Sequence, residues 1–151
     1  MESKKEKAYR LHASGYNCAQ SVAAAFADEL NMDENLALQM SVGFGGGMGR
    51  MQETCGAVTG AFMVLGLYNG KNSDDNAALK NTTYSMVQEF DRRFRALHRT
   101  TNCMELIQCD IKTTEGFTRA KEGGLFQSVC DKCISDAIEI VEELVEKPSP
   151  G

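Results

Sequence analysis

The chain has 151 residues, a formal net charge of −5 and 42% hydrophobic residues, a size at which one domain buries roughly two-thirds of the surface its unfolded form exposes. A chain of this length holds a core without covalent staples, so its six cysteines are not demanded as disulfide bridges. The acidic balance argues against general attraction to nucleic acid or anionic membranes, and neither a nucleic-acid partner nor membrane insertion is expected.

The first seven residues, Met1-Glu2-Ser3-Lys4-Lys5-Glu6-Lys7, are charged with mixed sign, and no apolar stretch follows them as a secretory signal would require. The longest apolar run, Ala57 to Leu67, is shorter than the roughly 20 residues a bilayer span needs and is interrupted by Thr59, Gly60 and Gly66. The expectation is a cytoplasmic protein. Thiols stay reduced in that compartment, which turns the cysteines toward metal binding or redox catalysis.

Both prolines, Pro148 and Pro150, fall in the last few residues, so nothing before them obliges a helix to break. No alternating apolar and polar run indicates a strand. A first helix from Lys4 to Ala13 ends at Gly15, and a second begins at Asn17 with Val22, Phe26 and Leu30 on one face. Asp33 caps a third, with Leu36, Met40 and Val42 expected inward. The segment Gly43-Phe44-Gly45-Gly46-Gly47-Met48-Gly49-Arg50 is too rich in glycine for regular structure.

A fourth helix, Cys55 to Tyr68, is apolar nearly all round and is expected at the centre. A long fifth runs from Asp75 to Leu97 and offers Leu79, Tyr84, Val87, Phe90 and Phe94 to the core; its Arg92-Arg93-Phe94-Arg95 run, with His98 and Arg99, reads as a solvated face. A short helix near Cys103 to Ile107 and a weaker piece near Glu115 to Lys121 precede a last helix from Cys130 to Glu146, which carries Ile134, Ile138, Val141 and Val145 at amphipathic spacing. The fold class is thus all-α: one helical domain over 1–146, a bundle of about six to seven helices around a central buried one. A flexible tail, 147–151, is expected after it.

Asn17-Cys18, Thr54-Cys55 and Asn102-Cys103 each set a good N-cap residue directly before a cysteine, and Cys130 follows Ser128 by two positions. Cysteines in the first turn of a helix meet unpaired N–H groups and the positive end of the dipole, which favour a thiolate. Any single cysteine is more often an inert apolar residue. It is the recurrence after cap residues that points to chemistry. Cys109 falls in a loop, and Cys130-Asp131-Lys132-Cys133 is a lone CxxC, suited to a redox pair or half a metal site. His12 and His98 lack metal-ligand spacing and read as surface or satisfied helix residues.

The glycine segment fails as a nucleotide loop: a GxGxxG frame started at Gly43 or Gly45 meets Met48 or Arg50 at its third glycine, and no GK[ST] follows. It reads instead as a loop drawn close to other backbone, or one whose N–H groups face the sulfurs, with Gly45, Gly46 and Gly47 as candidate cofactor contacts. Gly56 and Gly60, four apart, form a smooth helix strip where another helix or a cofactor approaches closely.

Cys55-Gly56-Ala57-Val58-Thr59-Gly60, with the glycine segment before it and Gly15-Tyr16-Asn17-Cys18-Ala19-Gln20 further upstream, resembles the redox-active protein family named for a CGAxxG motif and four cysteines. The resemblance implies Cys18 as the first of those cysteines, Cys55 as the one in the motif and Cys103, in Cys103-Met104-Glu105-Leu106, as the third. Cys130 is preferred over Cys133 as the fourth, since Ile134 and Ala137 then follow at apolar positions; Cys109 and Cys133 stand as additions. The implied function is redox chemistry with no substrate specified.

The expected mechanism is thiol–disulfide chemistry at Cys18, Cys55, Cys103 and Cys130, with Cys55 attacking and a neighbour resolving, in which case the protein is a thiol-dependent oxidoreductase with an unidentified redox partner. The first alternative makes the same four cysteines ligands of an iron–sulfur cluster or another thiophilic metal in electron transfer. The second is a helical interaction module, a homo-oligomer among its forms, with packing cysteines.

Overall fold

The computed structural model describes residues 2–146, and the expected tail over 147–151 lies outside the described residues. Eight helices follow in order: α1 Lys4–Ala13, α2 Cys18–Ala25, α3 Glu34–Ser41, α4 Gly56–Gly70, α5 Asn76–His98, α6 Cys103–Ile107, α7 Thr114–Glu122 and α8 Asp131–Glu146. A 3-10 turn at Val42–Phe44 and a kinked turn at Gly45–Met48 lead toward α4, and a π-helical turn at Phe126–Cys130 runs straight into α8. Among the described residues there is no strand, and β-type pairing is confined to one antiparallel bridge between Thr54 and Asn102. The fold is all-α.

Side chains that prefer to bond their own backbone set the helix starts. Ser3 and Glu6 form a capping box at α1, Asn17 and Gln20 another at α2, and Asp33, Asp75, Asn102 and Thr113 each accept a backbone N–H of the helix that follows. Gly15 closes α1 at φ 104°, a left-handed conformation that glycine adopts without steric cost.

The central helix is α4, which packs on α2, α5 and α8. Its Val58 and Leu65 join Val22, Phe26, Phe90, Phe94, Ile134 and Ile138 in one core, with Phe62 edge-on to Phe90 at 5.6 Å between ring centroids. Gly56 and Gly60 make this centre possible. A Cβ on Gly60 would lie 2.9 Å from the Ala19 carbonyl oxygen, and one on Gly56 would lie 3.0 Å from the Ala19 nitrogen, so α2 rests directly on the backbone of α4.

Several expectations are corrected. The second helix stops at Ala25, because the bonds from Phe26 and Ala27 reach back only three residues and Asn31 takes a left-handed turn, although Phe26 and Leu30 are still buried. In α3 the expected inward residues Leu36, Met40 and Val42 are 47%, 57% and 55% exposed. The buried face is Ala37, Leu38 and Ser41; the small Ala37 and Ser41 let α3 lie against α2, where the Gln20 amide donates to the Leu38 carbonyl. Tyr84 is exposed and Leu79 half-buried, since the core reaches α5 fully only at Phe90 and Phe94. The basic run is a solvated face laced by ion pairs, Arg92 and Arg93 to Glu89 and Arg95 to Asp91.

Gly60→Ala is expected to lower stability by about 1–3 kcal/mol in urea unfolding, because the new methyl meets fixed backbone. Gly66→Ala, in the same helix with open space at its Cβ position, is expected to raise it by about 0.5–1 kcal/mol.

Candidate functional site

Three cysteines sit where helices begin. Cys18 is the first residue of α2 behind the Asn17–Gln20 capping box, and Cys103 is the first of α6 behind Asn102, whose side chain accepts the Glu105 N–H. Cys55 differs from expectation: it is itself the cap residue of α4, while Thr54 before it pairs with Asn102. The bridge explains the shift. Cys55 N–H donates to the Thr101 carbonyl at 2.7 Å and Cys103 N–H to the Glu53 carbonyl at 2.6 Å, so a two-sided backbone lace holds the starts of α4 and α6 side by side.

Cys130 corrects the expectation of a first-turn cysteine. Helical backbone begins earlier, after Gly124 at φ 69°, and Cys130 closes the π turn that feeds α8. Ser128 therefore caps nothing; its own N–H donates to the Gly124 carbonyl inside the turn. Cys130 and Cys133, three apart, share a helix face.

Cys18, Cys55, Cys103, Cys130 and Cys133 all line one cleft of about 800 Å³, together with Gly45, Gly46, Gly47 and Gly56. Four are buried and Cys18 is half-buried, and all are free thiols. Cys109 is not at the cleft; its S–H donates to the Gly116 carbonyl. The glycine turn fits against the sulfurs because it lacks side chains: Gly47 has φ 70°, and a Cβ there would lie 2.6 Å from the Cys103 Cβ.

The sulfurs act on one another across the cleft, and they are not alike. The neighbouring Cys133 thiol lowers the Cys55 thiol below its ordinary range, and the Ala57 and Val58 N–H groups at the start of α4 act in the same direction. No side chain closes a cap hydrogen bond at that helix start, where the Val58 N–H also donates to the Cys55 carbonyl at 3.0 Å. The Cys55 sulfur, then burial, pushes the Cys133 thiol far up. The neighbouring Cys130 thiol and then burial hold the Cys18 thiol well up. Cys103 is pushed up to about 12, chiefly by burial and next by the neighbouring Cys55 sulfur.

Sequence reading missed two partners. His12 Nδ1 stands 2.7 Å from Asp131 Oδ1, and His12 Nε2 stands 4.0 Å from Cys18 Sγ. The ring thus bridges the Asp131 carboxylate through Nδ1 and the Cys18 sulfur through Nε2. Asp131 is 119 residues away, and no local motif joins the two. Cys133, read from the resemblance as an addition, is the direct neighbour of Cys55. His98 is a satisfied helix residue, bonded to Asp136 at 2.8 Å and stacked on Phe94.

Among the described residues no three His, Cys, Asp or Glu side chains stand in metal-holding geometry. Residues 16–144 match the family described as "putative redox-active protein (C_GCAxxG_C_C)". The chain belongs to the C_GCAxxG_C_C family. The matched range contains Cys55-Gly56-Ala57-Val58-Thr59-Gly60. It is 30% identical over 147 residues to an uncharacterised protein of Archaeoglobus fulgidus, covering 92% of this chain and 91% of that one. No solved structure matches. No helix among the described residues is long and apolar enough to cross a membrane.

Burial makes ionisation of Cys103 cost more in the folded protein than in the unfolded chain, whose thiol titrates near 8.5. The stability that its neutral thiol contributes is therefore intact below that value and lost as pH rises toward 12. Urea unfolding is expected to show the advantage of the wild type over Cys103→Ala shrinking between pH 7 and pH 10; an unchanged difference contradicts the assignment.

Proposed function

We propose that this member of the family carries out thiol–disulfide exchange, with Cys55 as the attacking thiolate and Cys133 as the resolving thiol. The observation that carries the reading is that Cys55, at the start of α4, and Cys133 share one buried cluster and one cleft, an arrangement in which Cys133 and the α4 backbone favour negative charge on Cys55. A low thiol pKa raises the reactive fraction near neutral pH, and a resolving thiol in contact removes the mixed disulfide before a competitor attacks it.

The step balances within the pair and its substrate. Cys55 thiolate attacks one sulfur of a disulfide and expels the other as a thiolate, forming a mixed disulfide. That departing thiolate takes up the Cys133 proton, and Cys133 then attacks the Cys55 sulfur. A Cys55–Cys133 disulfide forms and a second thiolate leaves, to be protonated from solvent. Two protein thiols are oxidised and one substrate disulfide is reduced to two thiols. The pair Cys18–Cys130, in the same cleft, is suited to exchange with the first, with His12 Nε2 facing the Cys18 sulfur. A metal-ligand reading of the same cysteines needs three or four of them to converge on one ion.

Treatment of the reduced protein with one equivalent of a small disulfide, then peptide mapping under non-reducing conditions, is expected to yield a Cys55–Cys133 linkage. Cys133→Ser is expected to accumulate the mixed disulfide on Cys55. Protein purified without oxygen that carries stoichiometric iron and visible absorption, lost on replacing Cys18, Cys55, Cys103 and Cys130, contradicts the exchange reading in favour of a cluster.

A further inference from the structure

The cleft differs in charge from the rest of the molecule. In a chain of net charge −5, no Asp or Glu lines it, whereas Arg50 and Lys121 do. Among the described residues neither of these cations is in an ion pair, although most Lys and Arg groups, such as Lys4, Lys5, Arg92 and Arg93, are paired. Both are exposed, and two unpaired cations on a wall without carboxylates give the open cleft a positive field.

Arg50 is held there deliberately by the backbone. It follows the glycine turn at φ 64°, an uncommon conformation for arginine, fixed by its N–H bond to the Gly45 carbonyl at 3.1 Å. Its guanidinium lies 4.0 Å from the Phe117 ring centroid. Phe117 and Phe126, both on the cleft wall, stand 5.2 Å apart at 42°. A guanidinium stacked on an aromatic ring keeps its edge donors free for a carboxylate, and the tilted aromatic pair beside it adds apolar surface. The volume, about 800 Å³, lies within the range of small-molecule sites.

We propose that the cleft selects a small organic anion with an apolar body, its carboxylate or equivalent acidic group held by Arg50 and Lys121 and its body against Phe117 and Phe126. This rests on the exchange reading only in naming that molecule as the disulfide delivered to Cys55. The recognition itself uses no sulfur.

The test compares the wild type with Arg50→Gln/Lys121→Gln, using three probe disulfides: dianionic aromatic 5,5′-dithiobis(2-nitrobenzoate), neutral aromatic 4,4′-dithiodipyridine and cationic cystamine. The rate of Cys55 modification by the dianion is expected to fall about tenfold in the variant, a typical size for loss of local steering, while the neutral probe changes less than twofold and cystamine reacts no more slowly. Arg50→Lys with Lys121 intact keeps both charges and is expected to retain most of the rate. Equal responses to all three probes, or no response to any, overturn the proposal. A redox-inert arm separates its fate from that of the exchange reading: thiodibenzoate, which has no S–S bond, is expected to bind the wild type about tenfold more tightly than the double variant by calorimetry. Charge-dependent binding of thiodibenzoate without disulfide formation at Cys55 sinks the exchange reading and leaves this inference standing. Disulfide formation at Cys55 with charge-blind binding does the reverse.

Discussion

The close seat of α2 on the backbone of α4 is the constraint from which the site follows. Two glycines one helical turn apart leave no side chain between the helices, so the start of α2 comes down beside the start of α4 and brings Cys18 to the same cleft as Cys55. The short lace at Thr54 and Asn102 then adds the start of α6 and Cys103. Glycine in a helix costs about 0.5–1 kcal/mol against alanine; at Gly56 and Gly60 that cost is borne where a methyl would strike α2.

Once the sulfurs share a cleft, their immediate surroundings decide what each is suited to do. Four thiols of equal environment would ionise at similar pH and leave no distinction between attacker and resolver. Here the surroundings differ: Cys133 and backbone N–H groups favour charge on Cys55, whereas Cys103 and Cys133 are penalised by burial and by neighbouring sulfur. Titratable groups pushed apart in this way are a usual mark of acid and base roles divided between chemically similar side chains.

Much of this was legible in the sequence, and the failures have physical causes. Cap residues before Cys18 and Cys103 announce helix starts because Asn competes for backbone N–H groups locally, and the structure has both caps. The glycine pair at 56 and 60 announces close helix contact for the same kind of local reason. Thr54 misled, because the bond that fixes Cys55 comes from Thr101, a partner no local rule supplies. Cys130 misled because a π turn begins the helix several residues earlier without a capping side chain. Leu36 and Met40 have helical periodicity, yet small residues on the opposite face pack closer to α2, and periodicity alone does not say which stripe wins. His12 was passed over because its partner Asp131 lies on another helix. Non-local contacts of this kind are what one sequence leaves unwritten.

The account depends on Cys133 holding the proton that Cys55 gives up. The most direct measurement is the pH profile of Cys55 alkylation in the reduced protein, resolved by mass spectrometry, beside the same profile in Cys133→Ala. The account predicts a midpoint below that of an ordinary cysteine thiol in the wild type and a shift to higher pH in the variant. Superimposable profiles would contradict it.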